Sequence, residues 1–223
     1  MTFALAVSSA VSSPLAMAWE LVVDETPVPL TWVLIGGLAA GILRFLWGAF
    51  CWMMLKHHDD DWRGVNDGGA VEEALEKANL PPGWFWSLPD HKQFEGGMSN
   101  PGFMERLKKG PNAIIIPIPK GGCMTGSTFL RGFLLNLLEG VGLAVLVCIF
   151  WTSTALRVDT LPETFAACAA VGLLASISIH WMSSTWMGLP WRHAWSSTFD
   201  MVVGYGLSGA LLWWLAAQLD VFA

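Results

Sequence analysis

Four runs of apolar residues, at 30–55, 126–151, 164–187 and 196–219, are each long enough to cross a hydrocarbon core, which at about 30 Å takes roughly 20 residues of helix. A transmembrane strand would be a segment of about 10 residues with alternating polarity. These runs are instead continuous and carry Gly and Ala at helix-packing spacing. The pattern predicts an all-α membrane protein, a bundle of four transmembrane helices, and excludes a barrel. Composition agrees, since 54% of the 223 residues are hydrophobic and only 13% charged, against about 25% charged in a soluble domain. That is too little charge to coat a water-facing surface or to keep a chain disordered.

The stretch before the first run is too short and too interrupted to be a fifth span. Residues 3–11 are apolar but broken by Ser8 and Ser9, and no Lys or Arg precedes them, so they make a poor signal peptide even though Ala16-Met17-Ala18 imitates a cleavage site. Residues 1–29 are expected to form a retained N-terminal arm that lies along the interface through Trp19 and Leu21.

Residues 56–125 form the one sizeable polar region, an insert between the first and second spans that is too small for an independent enzyme core. Asp67 is placed to cap a helix ending near Ala78, before Pro81-Pro82, and Asn100-Pro101 to start another that closes with Arg106, Lys108, Lys109 and Gly110. Residues 84–88 and 113–118 read as strands, the second confined to a sheet edge by Pro117 and Pro119. The insert is thus a small mixed α/β unit. Because an isolated two-stranded ribbon is marginal in water, it is expected to pack on the membrane surface or on a partner, with Trp84 and Trp86 as interfacial anchors. Trp181, Trp186 and Trp191 form a similar belt between the third and fourth spans.

Lys56, Arg63, Lys77, Lys92, Arg106, Lys108, Lys109, Lys120 and Arg192 fall on the insert's side of the spans, and Arg157 on the other. The positive-inside rule then makes the insert cytoplasmic and leaves both termini outside. The formal charge of -6 implies little about partners. No basic stripe with interleaved aromatics is present, so nucleic acid is excluded as a partner.

Ionisable groups inside the spans are the sharpest feature, because a charge at the bilayer centre costs on the order of 3 kcal/mol or more unless it is paired. At about 1.5 Å of rise per residue, Arg44 lies about 16 Å and Glu139 about 20 Å from the insert side, while Arg131, Asp200 and His180 lie about 6 to 10 Å in. Equal depth and charge balance predict an Arg44 to Glu139 pair near the midplane and an Arg131, Asp200 and His180 group below it. These groups either fix how the helices dock or form a proton relay. A transporter would tend to show interrupted helices or repeated halves, and the sequence displays neither. Gly37 and Gly41 in the first span, and Gly204, Ser208, Gly206 and Gly209 in the fourth, allow close helix approach.

Other chemistry is thinly represented. His57-His58-Asp59-Asp60-Asp61 offers metal-ligand types, with His57 and His58 as weak candidates, yet consecutive ligands cannot all converge and a solvated run stopping the helix explains them equally well. His180 could be an axial ligand to haem or chlorin, but a second intramembrane His at its depth is not evident. The cysteines form no CxxC pair; a bridge between Cys148 and Cys168 is geometrically conceivable, and two buried apolar residues is the simpler reading. Nothing resembles a nucleophile with its base, and Lys120-Gly121-Gly122 lacks phosphate-loop spacing. No enzyme activity and no cofactor are expected.

Trp47-Gly48, Trp52-Met53, residues 55–58, Ala70-Val71, Ala74-Leu75, Gly83, Phe85, Pro89, Gly110-Pro111, Trp181, Trp186, Asp200 and Gly204 together resemble a family of small, functionally uncharacterised bacterial membrane proteins. The resemblance covers most of the chain from about residue 41 and implies four spans with a polar insert after the first. The chain departs in its longer N-terminal arm and in Lys56, where a Pro is usual before the His. The expectation is an accessory or scaffold subunit of the bacterial inner membrane that packs against other membrane subunits, with lipid, pigment or quinone tails as further contacts. The alternative is a small transporter or proton-conducting protein using Glu139, Arg44, His180 and Asp200.

Overall fold

The computed structural model describes residues 28–119, 121–122, 124–152, 158–219 and 221. Residues 1–27 of the N-terminal arm, with Trp19 and Leu21, together with Lys120 and Arg157 lie outside the described residues. In chain order come α1 (Leu30–Met53), then the insert with α2 (Gly68–Ala78), β1 (Trp86–Leu88), α3 (Pro101–Lys109) and β2 (Ala113–Ile115), then α4 (Gly126–Thr152), α5 (Leu161–Ser176), α6 (Met182–Met187) and α7 (Trp191–Gln218). Four helical stretches are long and apolar enough to cross a membrane: α1, α4, the continuous stretch Leu161–Met187 and α7.

Small residues set the packing. A Cβ on Gly37 would lie 2.5 Å from the Val141 Cα, one on Gly41 2.5 Å from the Asn136 carbonyl oxygen, and one on Gly140 would collide with the Gly37 carbonyl, so α1 and α4 touch backbone to backbone. On α7, Gly204 receives the Trp47 indole of α1 while Gly206 and Gly209 receive Phe165 and Cys168 of α5. Ser208 donates to the Gly204 carbonyl at 2.9 Å and reaches the Ala40 carbonyl at 3.5 Å. The helices therefore pack in the order α4, α1, α7, α5, with α4 and α5 touching little. Their contact is at the end away from the insert, where Trp151 donates to Thr164 at 3.3 Å. The apolar core gathers at that same end, from Trp32, Leu143, Val147, Trp151, Cys168 and Leu212. Cys148 and Cys168 are buried free thiols.

Two of the helices start earlier than the apolar runs predict, at Leu161 and Trp191 rather than at 164 and 196. A capping box between Thr160 and Glu163 lets Leu161, Pro162 and Glu163 form the first turn of α5. At α7, Pro190 supplies the fixed entry and the carbonyl to which Ala194 donates, so Arg192 and His193 are helical residues. The third stretch is also interrupted, against expectation: residues Ile177–Trp181 form a π-helical segment. It is held to α7 by Thr198, whose hydroxyl lies 2.6 Å from Ser176 Oγ and accepts from the Trp181 indole at 2.9 Å.

In the insert, Asp67 caps α2 by accepting from the Ala70 N–H, and Asn100 caps α3 by accepting from Gly102 and Phe103. β1 and β2 pair antiparallel, with Trp86 opposite Ile115 and Leu88 opposite Ala113. The strands are shorter than predicted. Pro117 has no N–H to donate, and Trp84, Phe85, Ile116 and Ile118 lie beyond the pairing as exposed residues. Phe103 is the buried apolar side chain of the insert. Trp86 donates to the Pro81 carbonyl at 3.2 Å, so it serves the insert's own fold, while Trp84 is exposed.

Candidate functional site

Halfway along α4, Glu139 Oε2 lies 2.6 Å from Arg44 Nη2 of α1. The Arg44 guanidinium also sits 3.8 Å over the centre of the Tyr205 ring of α7, a cation–π contact. The two charges are unequally covered, with Arg44 12% exposed and Glu139 47%.

The second charged group differs from the expected one. Arg131 is exposed and has no ion pair among the described residues. Depth arithmetic places a residue along the axis but not around it, and no contact joins Arg131 to Asp200 among the described residues. Asp200 is taken instead by two histidines that follow α1: His57 Nε2 at 2.7 Å from Oδ1, and His58 Nε2 at 2.8 Å from Oδ2. Lys56 adopts a left-handed backbone, φ 53°, which ends α1 and turns the chain back beneath α7. A single 3-10 turn at Asp59–Asp61 follows. The histidine and aspartate run is thus solvated only in part, with Asp59 and Asp60 exposed and His58 and Asp61 turned inward. His58 is 3% exposed and Asp61 2%.

Around this turn the contacts form one chain. His58 Nδ1 lies 2.7 Å from Asp61 Oδ2, which also accepts from the Ser196 hydroxyl at 2.8 Å and faces His193 Nδ1 at 3.2 Å. Arg192 brackets the cluster from outside, with Nη2 3.1 Å from Asp60 Oδ2 and Nε 3.5 Å from Asp61 Oδ1. The Trp52 indole stacks flat on His58, 4.0 Å between ring centres, and the Trp47 indole donates to the Asp200 carbonyl at 3.0 Å. Burial alone would raise the Asp61 carboxyl, but the hydrogen bonds from His58, Ser196 and His193 outweigh it and hold Asp61 below the ordinary carboxylate range.

His193 and Ser196 are not singled out by the sequence, and Asp61 and Trp52 enter there only within the His57–Asp61 run and the family resemblance. Two spacings carry them: His58 and Asp61 are three apart in a helical turn, and His193, Ser196 and Asp200 recur at three and seven along one face of α7. His180 lies in the π-helical segment with its ring 5.6 Å from that of His193, edge to face. A second histidine therefore does stand beside it, which the later predicted start of the fourth span had concealed. Trp181 packs edge-on against Trp191 and Trp195, and Trp186 is exposed.

A cavity of about 240 Å³ opens where α4 and α5 diverge. Arg44, Asn136, His180, His193 and Asp200 line it, with Trp47 and Trp52 as its apolar walls. It joins the midplane pair to the cluster below. No family model, curated protein or solved structure matches the chain, so the reading of the site rests on its geometry.

Proposed function

We propose that the chain is a non-catalytic integral membrane subunit that packs against and stabilises a larger membrane protein assembly. Its seat in this reading is the bacterial inner membrane, with the insert cytoplasmic and both termini outside; the distribution of Lys and Arg supports that orientation. The observation that carries the reading is Glu139. A carboxylate half exposed at the middle of a helix, about 20 Å from either end, would face lipid, where an ionised group is costly even when one side is paired. A partner helix bringing a hydroxyl, amide or cationic side chain to that face removes the cost. The insert supports the same reading, since Trp84, Phe85, Met98, Ile116 and Ile118 are exposed and two three-residue strands do not hold a ribbon together unaided. Other membrane subunits are the proposed partners, and lipid, pigment or quinone tails would fill gaps between them. The subunit needs no cofactor or nucleic acid for this role.

Purification of the tagged protein from its native membrane in mild detergent tests the proposal. A stoichiometric membrane protein partner is expected, and a monodisperse monomer with no companion would overturn it.

The cavity favours one second reading, a small proton-conducting or transport protein, because Arg44, His180 and Asp200 share it and Glu139 adjoins it through Arg44. Chains of such groups mark relays in membranes. Proton flux into liposomes that disappears in Glu139→Gln or Asp200→Asn is the result this reading requires, and flux equal to that of empty vesicles excludes it.

A further inference from the structure

We infer that His58, Asp61 and His193 form a binding site for one first-row divalent transition-metal ion, which ties the turn after α1 to the start of α7. The three donor atoms, two imidazole nitrogens and a carboxylate oxygen, lie within 4.8 Å of one another. Two imidazoles with one carboxylate suit zinc or ferrous iron, and an all-oxygen ion such as calcium or magnesium has too few oxygens here. Tetrahedral metal–ligand bonds of about 2.0 to 2.2 Å put neighbouring donors about 3.3 to 3.6 Å apart. The observed 2.7 Å from His58 Nδ1 to Asp61 Oδ2 and 3.2 Å from His193 Nδ1 to the same oxygen would each open by less than about 1 Å around an ion.

Three further observations point to an ion rather than to hydrogen bonds alone. The first is the setting of His58: its Nε2 lies 2.8 Å from Asp200 Oδ2 while its Nδ1 faces Asp61 Oδ2 at 2.7 Å, which is the carboxylate–histidine–metal arrangement that orients metal-binding imidazoles. The second is Asp61 itself, whose side chain is 2% exposed: Oδ1 faces Arg192 Nε at 3.5 Å, while His58, His193 and Ser196 converge on Oδ2, the oxygen assigned to the ion. The third is charge. Asp60 and Asp61 pair with Arg192, and Asp200 with His57 and His58, so three carboxylates gather around one permanent cation, a balance that a divalent ion moves toward neutrality.

Cys51, His57 and Asp200 form an adjacent group with similar spacing. An ion there would compete for the Asp200 carboxylate that both histidines use, so the ion is assigned to the His58, Asp61 and His193 side.

The test uses the full chain in detergent, stripped with a chelator and titrated with Zn²⁺ and with Co²⁺ as a spectroscopic probe. One equivalent per chain is expected, with visible Co²⁺ bands indicating mixed nitrogen and oxygen ligation. Asp61→Asn and His193→Ala should weaken binding at least tenfold, as should Asp200→Asn through its hold on His58, where loss of such a partner costs about 10 to 100-fold. His91→Ala in the insert should bind as wild type. Circular dichroism of each variant separates lost binding from lost fold. Absence of stoichiometric Zn²⁺ or Co²⁺ binding by folded wild-type protein would overturn the inference. So would binding that survives Asp61→Asn and His193→Ala but fails in Cys51→Ser.

Discussion

Arg44 of α1 and Glu139 of α4 meet at 2.6 Å beside the backbone contact that Gly41 and Gly140 make possible. The glycines bring the two helix axes close enough for a charged pair to close across them. The pair in turn gives that interface a register which uniform apolar packing would not specify. Removing one partner leaves the other charge stranded in the bundle, typically at a cost of about 3 to 5 kcal/mol when both groups are fully buried. Glu139 is half exposed, so about 2 kcal/mol is the expected loss for Arg44→Gln or Glu139→Gln. The double variant Arg44→Gln with Glu139→Gln should lose less than the sum of the two singles, giving a clear coupling energy in a double-mutant cycle. Unfolding by SDS titration in mixed micelles measures it.

Glycines two residues apart, on opposite sides of α4, should behave oppositely. A side chain at Gly140 would run into the α1 backbone, whereas one at Gly142 would meet nothing within 4 Å. Gly140→Leu should separate α4 from α1 and destabilise by more than the 1 to 3 kcal/mol typical of overpacking. Gly142→Leu should leave the melting temperature within a few degrees of wild type. Thermal unfolding in detergent distinguishes the two.

Stability in acid should depend on Asp61. Its pKa in the folded protein is depressed, so its contribution is present at pH values above the unfolded carboxylate value of about 3.9. It is lost as pH falls through the lower folded value. Chelator-treated protein should therefore lose stability as pH drops through that window, and Asp61→Asn should be less stable at neutral pH with a flatter acid limb. Chemical denaturation at a series of pH values provides the check.

The exposed insert should contribute to association rather than to folding. Trp84 and Phe85 lie beyond the strand pairing and are exposed. Replacing both with Ser should reduce co-purification of a partner several-fold while leaving the helical circular dichroism and the melting temperature of the isolated protein unchanged.

Much of the fold is legible in the sequence for physical reasons that act locally. Apolar length defines the four long helices, and Asp67 and Asn100 announce the starts of α2 and α3 because a capping side chain must stand next to the turn it caps. Depth along a helix axis was likewise enough to match Arg44 with Glu139. The histidine cluster was hidden by features that are not local. A left-handed residue at Lys56 carries no strong sequence mark, yet it folds His57, His58 and Asp61 back beneath α7. His193 was set outside the fourth helix because hydropathy rises only after it, although Pro190 starts the helix earlier. Depth alone matches Arg131 with Asp200, whereas in the structure Arg131 is exposed and Asp200 pairs with His57 and His58. The π-helical segment at Ile177–Trp181 contains neither Gly nor Pro, so its interruption of the third apolar stretch has no compositional signature.

The central claim is that the face of α4 bearing Glu139 is covered by another membrane protein. Leu135 and Leu138 are exposed beside Glu139, and a photo-crosslinking amino acid placed at either position in cells reads that face directly. The account predicts a single protein adduct of defined mass from these positions, diminished when Glu139→Gln is added. Crosslinking to lipid alone, unchanged by that substitution, would contradict it.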